Sequence, residues 1–181
     1  MALLESLKLP LGSPAIDFTL PGIDEKTYTL DSFKDAKILG VVFMCNHCPY
    51  VLAIIERLVQ IQDDYSDNLQ LVGINANDAT NYPDDSFENM PLFSAEYGMN
   101  FPYLHDKTQE VAKAYQAQCT PDIYIFDSER KLAYHGRIDD NWQHPSKVTK
   151  KELRDALDAL TNGKKPSEAQ NPSMGCSIKW K

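Results

Sequence analysis

The chain lacks any apolar run long enough to cross a bilayer, which takes about 20 residues. Its opening stretch, MALLESLKLPLGSPA, has neither the basic start nor the extended apolar segment of a secretory signal. Basic residues are also in deficit: 18 Lys and Arg stand against 26 Asp and Glu, for a net charge of −8. Such a chain repels phosphate backbones, so general nucleic-acid binding is excluded and no membrane partner is expected. No internal repeat or low-complexity segment is present. Cysteine is scarce, with Cys45, Cys48, Cys119 and Cys176 making up the whole set. Without an export signal the expected location is cytoplasmic, where thiols are kept reduced. Structural disulfides are therefore not expected, and a close cysteine pair there is catalytic, redox-sensing or metal-binding.

What is present suits one α/β domain. The length of 181 residues allows a sizeable core. Residues 1–163 read as the domain and 164–181 as a polar tail ending in GCSIKWK, where Ile178 and Trp180 predict docking on the body. Short strand-like pieces at 17–20 and 27–30 flank PGIDEK, which carries turn chemistry, so a hairpin is expected. The unbroken apolar run 38–43 predicts a strand covered on both faces. Val51, Ile54, Ile55, Leu58 and Ile61 recur at helical spacing, and 69–74 reads as a second buried strand. Further strands are predicted at 101–104, 123–126 and 131–135, the last two joined by DSER into an antiparallel hairpin. T-K-K-E at 149–152 matches a capping box for a closing helix that Asn162-Gly163 ends.

Chemistry concentrates in FMCNHCPYV, residues 43–51. Proline is tolerated in the first helical turn and costs about 3 kcal/mol further in, so Pro49 fixes a helix start close to Cys45. Free amides there favour a negative charge, and cysteines so placed have pKa values lowered from about 8.5 toward 3.5–7.5. Cys45 is thus expected to be the thiolate and Cys48 the resolving partner. An imidazolium at His47 would stabilise the charge, with Asn46 and Pro49 as tuning neighbours. Inert core thiols and half of a zinc site are the other readings of a C-x-x-C. Zinc wants four ligands, and Cys119 and Cys176 would supply them only if the fold gathers all four cysteines.

A second element, CTPDIYIF at 119–126, opens a strand with Thr120-Pro121. The C-x-x-C at a helix start and a Thr-Pro before an antiparallel hairpin resemble the two hallmark elements of the thioredoxin superfamily. GSPAIDFTLPGIDEKTYTLDSF resembles the opening of its AhpC/TSA–redoxin branch. CNHCPYV, NANDATNYPDDSFENM, CTPDIYIFD with GRIDD, and GCSIKWK resemble one subgroup, the peroxiredoxin-like proteins also called thiol-disulfide isomerase/thioredoxin-like. The resemblance implies a thioredoxin-like fold, a central mixed sheet flanked by helices, with an N-terminal β-hairpin extension and a C-terminal tail. It also implies a catalytic Cys45–Cys48 pair and a cis peptide at Pro121. The peroxiredoxin pattern P-x-x-x-[TS]-x-x-C is not matched: Ile38 and Val42 stand at its Pro and Thr places if Cys45 is the cysteine, Val41 and Cys45 if Cys48 is. Thioredoxin's buried aspartate, six residues before its first cysteine, is replaced by Leu39.

The expected activity is thiol-disulfide oxidoreduction without a cofactor beyond the redox-active disulfide itself. Its partners would be protein or small-molecule disulfides and thiols, together with a thiol reductant. Thiol peroxidase activity and a non-enzymatic metal-binding or redox-sensing role are the alternatives. Thr120 and Pro121 would dock the substrate chain, and Cys119 and Cys176 are either further redox thiols or buried small residues. Asp84-Asp85 and Asp139-Asp140 could ligate a cation, with solvated loop pairs as the default reading, and Arg137 could hold a thiolate or a substrate carboxylate, with a surface arginine as the default. His105, His135 and His144 have no partner visible in the sequence.

Overall fold

In the computed structural model, which describes residues 3–181, the elements in order are β1 (Leu3–Glu5), β2 (Thr19–Pro21), β3 (Thr27–Thr29), β4 (Ile38–Phe43), α1 (Pro49–Leu52), α2 (Ile55–Asp64), β5 (Leu69–Asn75), α3 (Met90–Glu96), β6 (Tyr103–His105), α4 (Glu110–Ala114), β7 (Cys119–Thr120), β8 (Asp122–Phe126), β9 (Leu132–His135), α5 (Glu152–Thr161) and β10 (Met174–Ser177). Five strands make the central sheet in the order β6-β5-β4-β8-β9. β4, β5 and β6 are parallel, while β8 and β9 run antiparallel to them. The sheet is therefore mixed, and helices cover it on both faces. Strand β4 alternates between two cores. Ile38 and Val42 pack with Ile55, Leu58 and Leu157 from α2 and α5; Leu39, Val41 and Phe43 pack with Phe18, Phe33 and Tyr115. That two-sided burial is why its sequence carries no polar residue.

The C-terminal segment is built into the protein. β10 is the middle strand of a second sheet, β1-β10-β7, with Cys176 opposite Thr120 and Ser177 opposite Cys119. At Gly175 an added Cβ would overlap the Thr120 backbone carbonyl, so only glycine lets β10 approach this closely. Beyond it, the Lys179 amide donates to Asn77 Oδ1 at 2.9 Å and its carbonyl accepts from Asp78 N–H at 2.8 Å. The Thr120-Pro121 peptide is cis.

Three local expectations are corrected. The helix expected through Val51–Ile61 is two pieces, because Ile54 leaves helical geometry at φ −120° and its amide reaches back to Val51 at 3.0 Å. Thr149 does not cap α5. Its amide donates to Asp140 Oδ1 at 2.9 Å, and α5 starts after Lys151. The first hairpin strand is Thr19–Pro21 rather than one starting at Asp17, whose carboxylate instead accepts from the Phe18 and Leu30 amides. Among the described residues no helix is long and apolar enough to cross a membrane.

Candidate active site

The CNHC turn follows β4 and is held from three sides. Asn46 donates its backbone N–H to Asp85 Oδ1 at 2.8 Å and its side-chain amide to the Asp84 carbonyl at 2.9 Å, and its Oδ1 accepts from Tyr103 at 2.9 Å. Asp85 is wholly buried and also accepts from Asn77 at 2.7 Å. The Asp84-Asp85 pair expected as solvated loop is therefore split: Asp85 is a buried support for the turn. His47 Nδ1 lies 2.7 Å from Asp85 Oδ2. The approach is close but off the N–H axis, so the buried Nδ1 has no hydrogen bond of ordinary geometry. Attraction between opposite charges at that distance needs no alignment, and we treat the contact as an ion pair. Tyr82 stacks on the imidazole with ring centroids 5.8 Å apart.

Both sulfurs are covered, with Cys45 1% and Cys48 0% exposed. The sequence put the helix amides at Cys45; the structure puts them at Cys48. Pro49 opens α1 and Cys48 is its N-cap, although no amide reaches full capping geometry. Cys48 is lowered from 9.0 to about 5, chiefly because the Cys45 thiol donates to it. Burial opposes that shift, while the Cys176 thiol, Thr120 and the Val51 amide add to it. One contact works the other way: the Thr120 carbonyl, 3.1 Å from Cys48 Sγ, accepts only from a protonated sulfur. Against that one acceptor stand the Cys45 and Cys176 thiols, Thr120 and the Val51 amide, and we take the charge to rest on Cys48. Cys45 is raised well above 9.0 by the proton it shares with Cys48, by burial and by the Asp85 charge. The pair thus holds one negative charge and one proton. His47 is raised from 6.5 by Asp85 against the effect of burial. Burial pushes Asp85 up, but His47, Asn77 and Asn46 outweigh it and hold the carboxyl below 3.8.

The cis segment closes the other side. Thr120 Oγ1 is 3.6 Å from Cys45 Sγ, and Cys176, opposite Thr120 across the β10–β7 ladder, donates to Cys48. Burial, first of all, pushes Cys176 up to about 12. Cys119 is fully buried, its Sγ 3.6 Å from the Pro121 carbonyl, and burial raises its pKa. The described cysteines do not gather into a four-cysteine metal site; the one metal-type cluster among the described residues is Cys45, His47 and Asp85. A cavity of about 460 Å³ opens beside Pro121, walled by Tyr50, Ile54, Trp142 and Arg137. Tyr50 and Trp142 pack at 4.0 Å between centroids. Neither cysteine lines this cavity or the larger one of about 950 Å³ that includes Phe87 and His105, but only the smaller is walled by Pro121, whose neighbour Thr120 contacts both cysteines. Asp139 is not solvated but buried and paired with Arg57, and Arg137 binds Glu152 at 2.6 Å. His135, without an evident partner in sequence, meets buried Asp122 at 2.8 Å. His144 lies exposed at a surface turn. Asp85 and Asp122 were missed because their burial depends on segments distant in sequence.

No curated protein sequence matches the chain. Among solved structures, an uncharacterized conserved protein from Geobacillus kaustophilus is 46% identical over 100% of this chain and 97% of its own, with a TM-score of 0.94. A hypothetical protein from Sinorhizobium meliloti 1021 is 44% identical over 98% of each chain, with a TM-score of 0.93. The thioredoxin domain of a thiol-disulfide oxidoreductase from Bacteroides vulgatus shares the fold at 19% identity, covering 75% of this chain and 94% of that one, with a TM-score of 0.63. The model of the AhpC/TSA family matches residues 11–135, which carry β4, the CNHC turn, the cis-proline and both strands of the closing hairpin, and the chain belongs to that family, within the thioredoxin superfamily.

Proposed function

We propose that the protein is a thiol-disulfide oxidoreductase in which Cys48 attacks and Cys45 resolves. The observation that carries this reading is a buried dithiol at the start of α1 set against the Thr120-Pro121 segment, with Cys48 Sγ 3.1 Å from the Thr120 carbonyl and Cys45 Sγ 3.6 Å from Thr120 Oγ1. The Cys48 thiolate attacks a substrate disulfide, forms a mixed disulfide and releases one substrate thiolate, which takes up a proton. Cys45 then gives up its proton, attacks the Cys48 sulfur and expels the second substrate thiolate. The protein is left with a Cys45–Cys48 disulfide, and an external dithiol returns two electrons to reset it. The Tyr50–Trp142 wall beside Pro121 supplies an apolar surface for the substrate.

The roles are the reverse of those read from the sequence, and trapping tests them. Cys45→Ser should accumulate a mixed disulfide with reduced-and-reoxidised insulin fragments, and Cys48→Ser should be inert. Accumulation on Cys48→Ser instead would overturn the assignment. The complete burial of both sulfurs favours a second reading, a thiol peroxidase, since a hydroperoxide is small enough to reach Cys48 with little opening. There the thiolate takes one peroxide oxygen to become a sulfenic acid, an alcohol leaves, and Cys45 condenses with it, releasing water. Peroxide-dependent consumption of dithiothreitol, compared with insulin reduction by the same preparation, separates the two.

A further inference from the structure

The donor atoms of Cys45, His47 and Asp85 lie within 4.8 Å of one another, a cluster that disulfide exchange does not require. Three features suit it to an ion. Asp85 is wholly buried, and its two oxygens are already aimed by hydrogen bonds from Asn46 and Asn77, so the carboxylate cannot swing away. His47 Nδ1 is buried beside that carboxylate and has no aligned hydrogen-bond partner. Finally, a thiolate and a carboxylate bring two negative charges to a neutral imidazole, which balances a divalent cation.

We infer that the reduced protein binds one borderline-soft divalent metal, of the zinc class, through Cys45, His47 and Asp85. A sulfur–nitrogen–oxygen set is a zinc or cobalt set; calcium and magnesium take oxygen ligands and would not use the thiolate. Three protein ligands leave a fourth tetrahedral position for water. The partly exposed His47 edge, 19% exposed and stacked against Tyr82, is the way in. Lys179, whose ammonium lies 5.5 Å from the Tyr82 ring, stands nearby as a cation that weakens rather than abolishes binding. Coordination displaces the Cys45 thiol proton and the His47 imidazolium proton to solvent, and it leaves no free sulfur to pair with Cys48. Metal and disulfide are therefore mutually exclusive: the oxidised protein cannot bind, and the loaded protein cannot be oxidised at this pair until the ion leaves.

The test uses the full-length chain, reduced without chelating thiols, and Co²⁺ as the probe. One equivalent should give the intense thiolate-to-cobalt charge-transfer band, Zn²⁺ should displace it, and prior oxidation of the dithiol should prevent it. Cys45→Ser and Asp85→Asn should each weaken binding by about tenfold or more, while Cys176→Ser should leave it intact. The stoichiometric band on unaltered protein needs no variant, so a misfolded Asp85→Asn does not stall the test. A band that survives Cys45→Ser would place the metal on Cys48 and Cys176 and overturn the proposal, as would no band at all. Because the readout is spectroscopic, it stands or falls separately from any disulfide-reductase or peroxidase activity.

Discussion

Titrating the reduced protein from pH 9 down to pH 5 should show one thiolate persisting almost to the bottom of the range. With Cys48 at about 5 rather than 9.0, its ionised fraction at pH 7 rises from about 1% to about 99%. That hundredfold gain does not appear as a hundredfold faster reaction. Nucleophilicity falls with basicity at a Brønsted slope of about 0.4–0.5, so a four-unit shift costs roughly 40–100-fold per thiolate. At pH 7 the two effects nearly cancel, and burial slows alkylation at every pH alike. The diagnostic is therefore the shape of the profile. Iodoacetamide should modify Cys48 at a nearly constant rate from pH 9 to about pH 6, with half the rate left near pH 5. An ordinary thiol instead loses about tenfold per pH unit below its pKa. At pH 6 the ratio to such a thiol, each normalised to its rate at pH 7, should be about tenfold. Peptide mapping assigns the label, and thiolate ultraviolet absorbance checks the charge independently. Tenfold loss per unit between pH 8 and pH 6, or a low-pH inflection that maps to Cys45, would refute the placement of the charge. Linkage gives a matching stability signature. The Cys48 pKa is depressed on folding, so its contribution is complete above 9.0 and is lost as pH falls through about 5.

Two further variants examine what surrounds the pair. Asp85→Asn removes the partner of His47 and should cost about 1–3 kcal/mol, read as a lower thermal midpoint. The pH dependence of the loss has a definite sign. Asp85's contribution is present above 3.8 and fades as pH falls through its lowered folded value. His47's contribution is present below 6.5 and fades as pH rises through its raised one. The gap between wild type and variant should therefore be widest between those two values, and a gap that is flat across pH 4–9 would show that the ion pair contributes nothing. Gly175→Ala drives a methyl into the Thr120 carbonyl, forces β10 outward and should cost about 1–3 kcal/mol. It should also draw the Cys176 donor off Cys48 and move the alkylation inflection upward; an unchanged midpoint and profile would show that the close approach does not matter.

Much of the frame was legible in local pattern. The apolar run 38–43 is short and rich in β-branched residues, DSER supplies a turn between the strands of the 123–135 hairpin, and both elements are where they were expected. The helix start was readable too, and more sharply than the sequence reading took it: proline favours the first helical position, so the residue before Pro49, not the one four back, is the N-cap. The break at Ile54 was invisible, because its apolar spacing continues smoothly across it. Asp85 lies 40 residues from Cys45, next to an Asp84 with the same chemistry, and nothing local says which of the two is buried.

The polarity of the dithiol follows from those distant groups. Two cysteines three apart on one turn would share a proton with little preference if only the turn acted on them. Here Cys45 faces the negative charge of Asp85, which disfavours a second one, while Cys48 receives the thiols of Cys45 and Cys176. One influence comes from the loop after β5 and the other from the C-terminal strand, and they act in the same direction. Neutralising Asp85 alone would weaken the preference and removing Cys176 alone would weaken it again. The nucleophile is thus chosen by how the fold closes around the CNHC turn, since the four residues of the turn carry no such asymmetry beyond the proline that follows them.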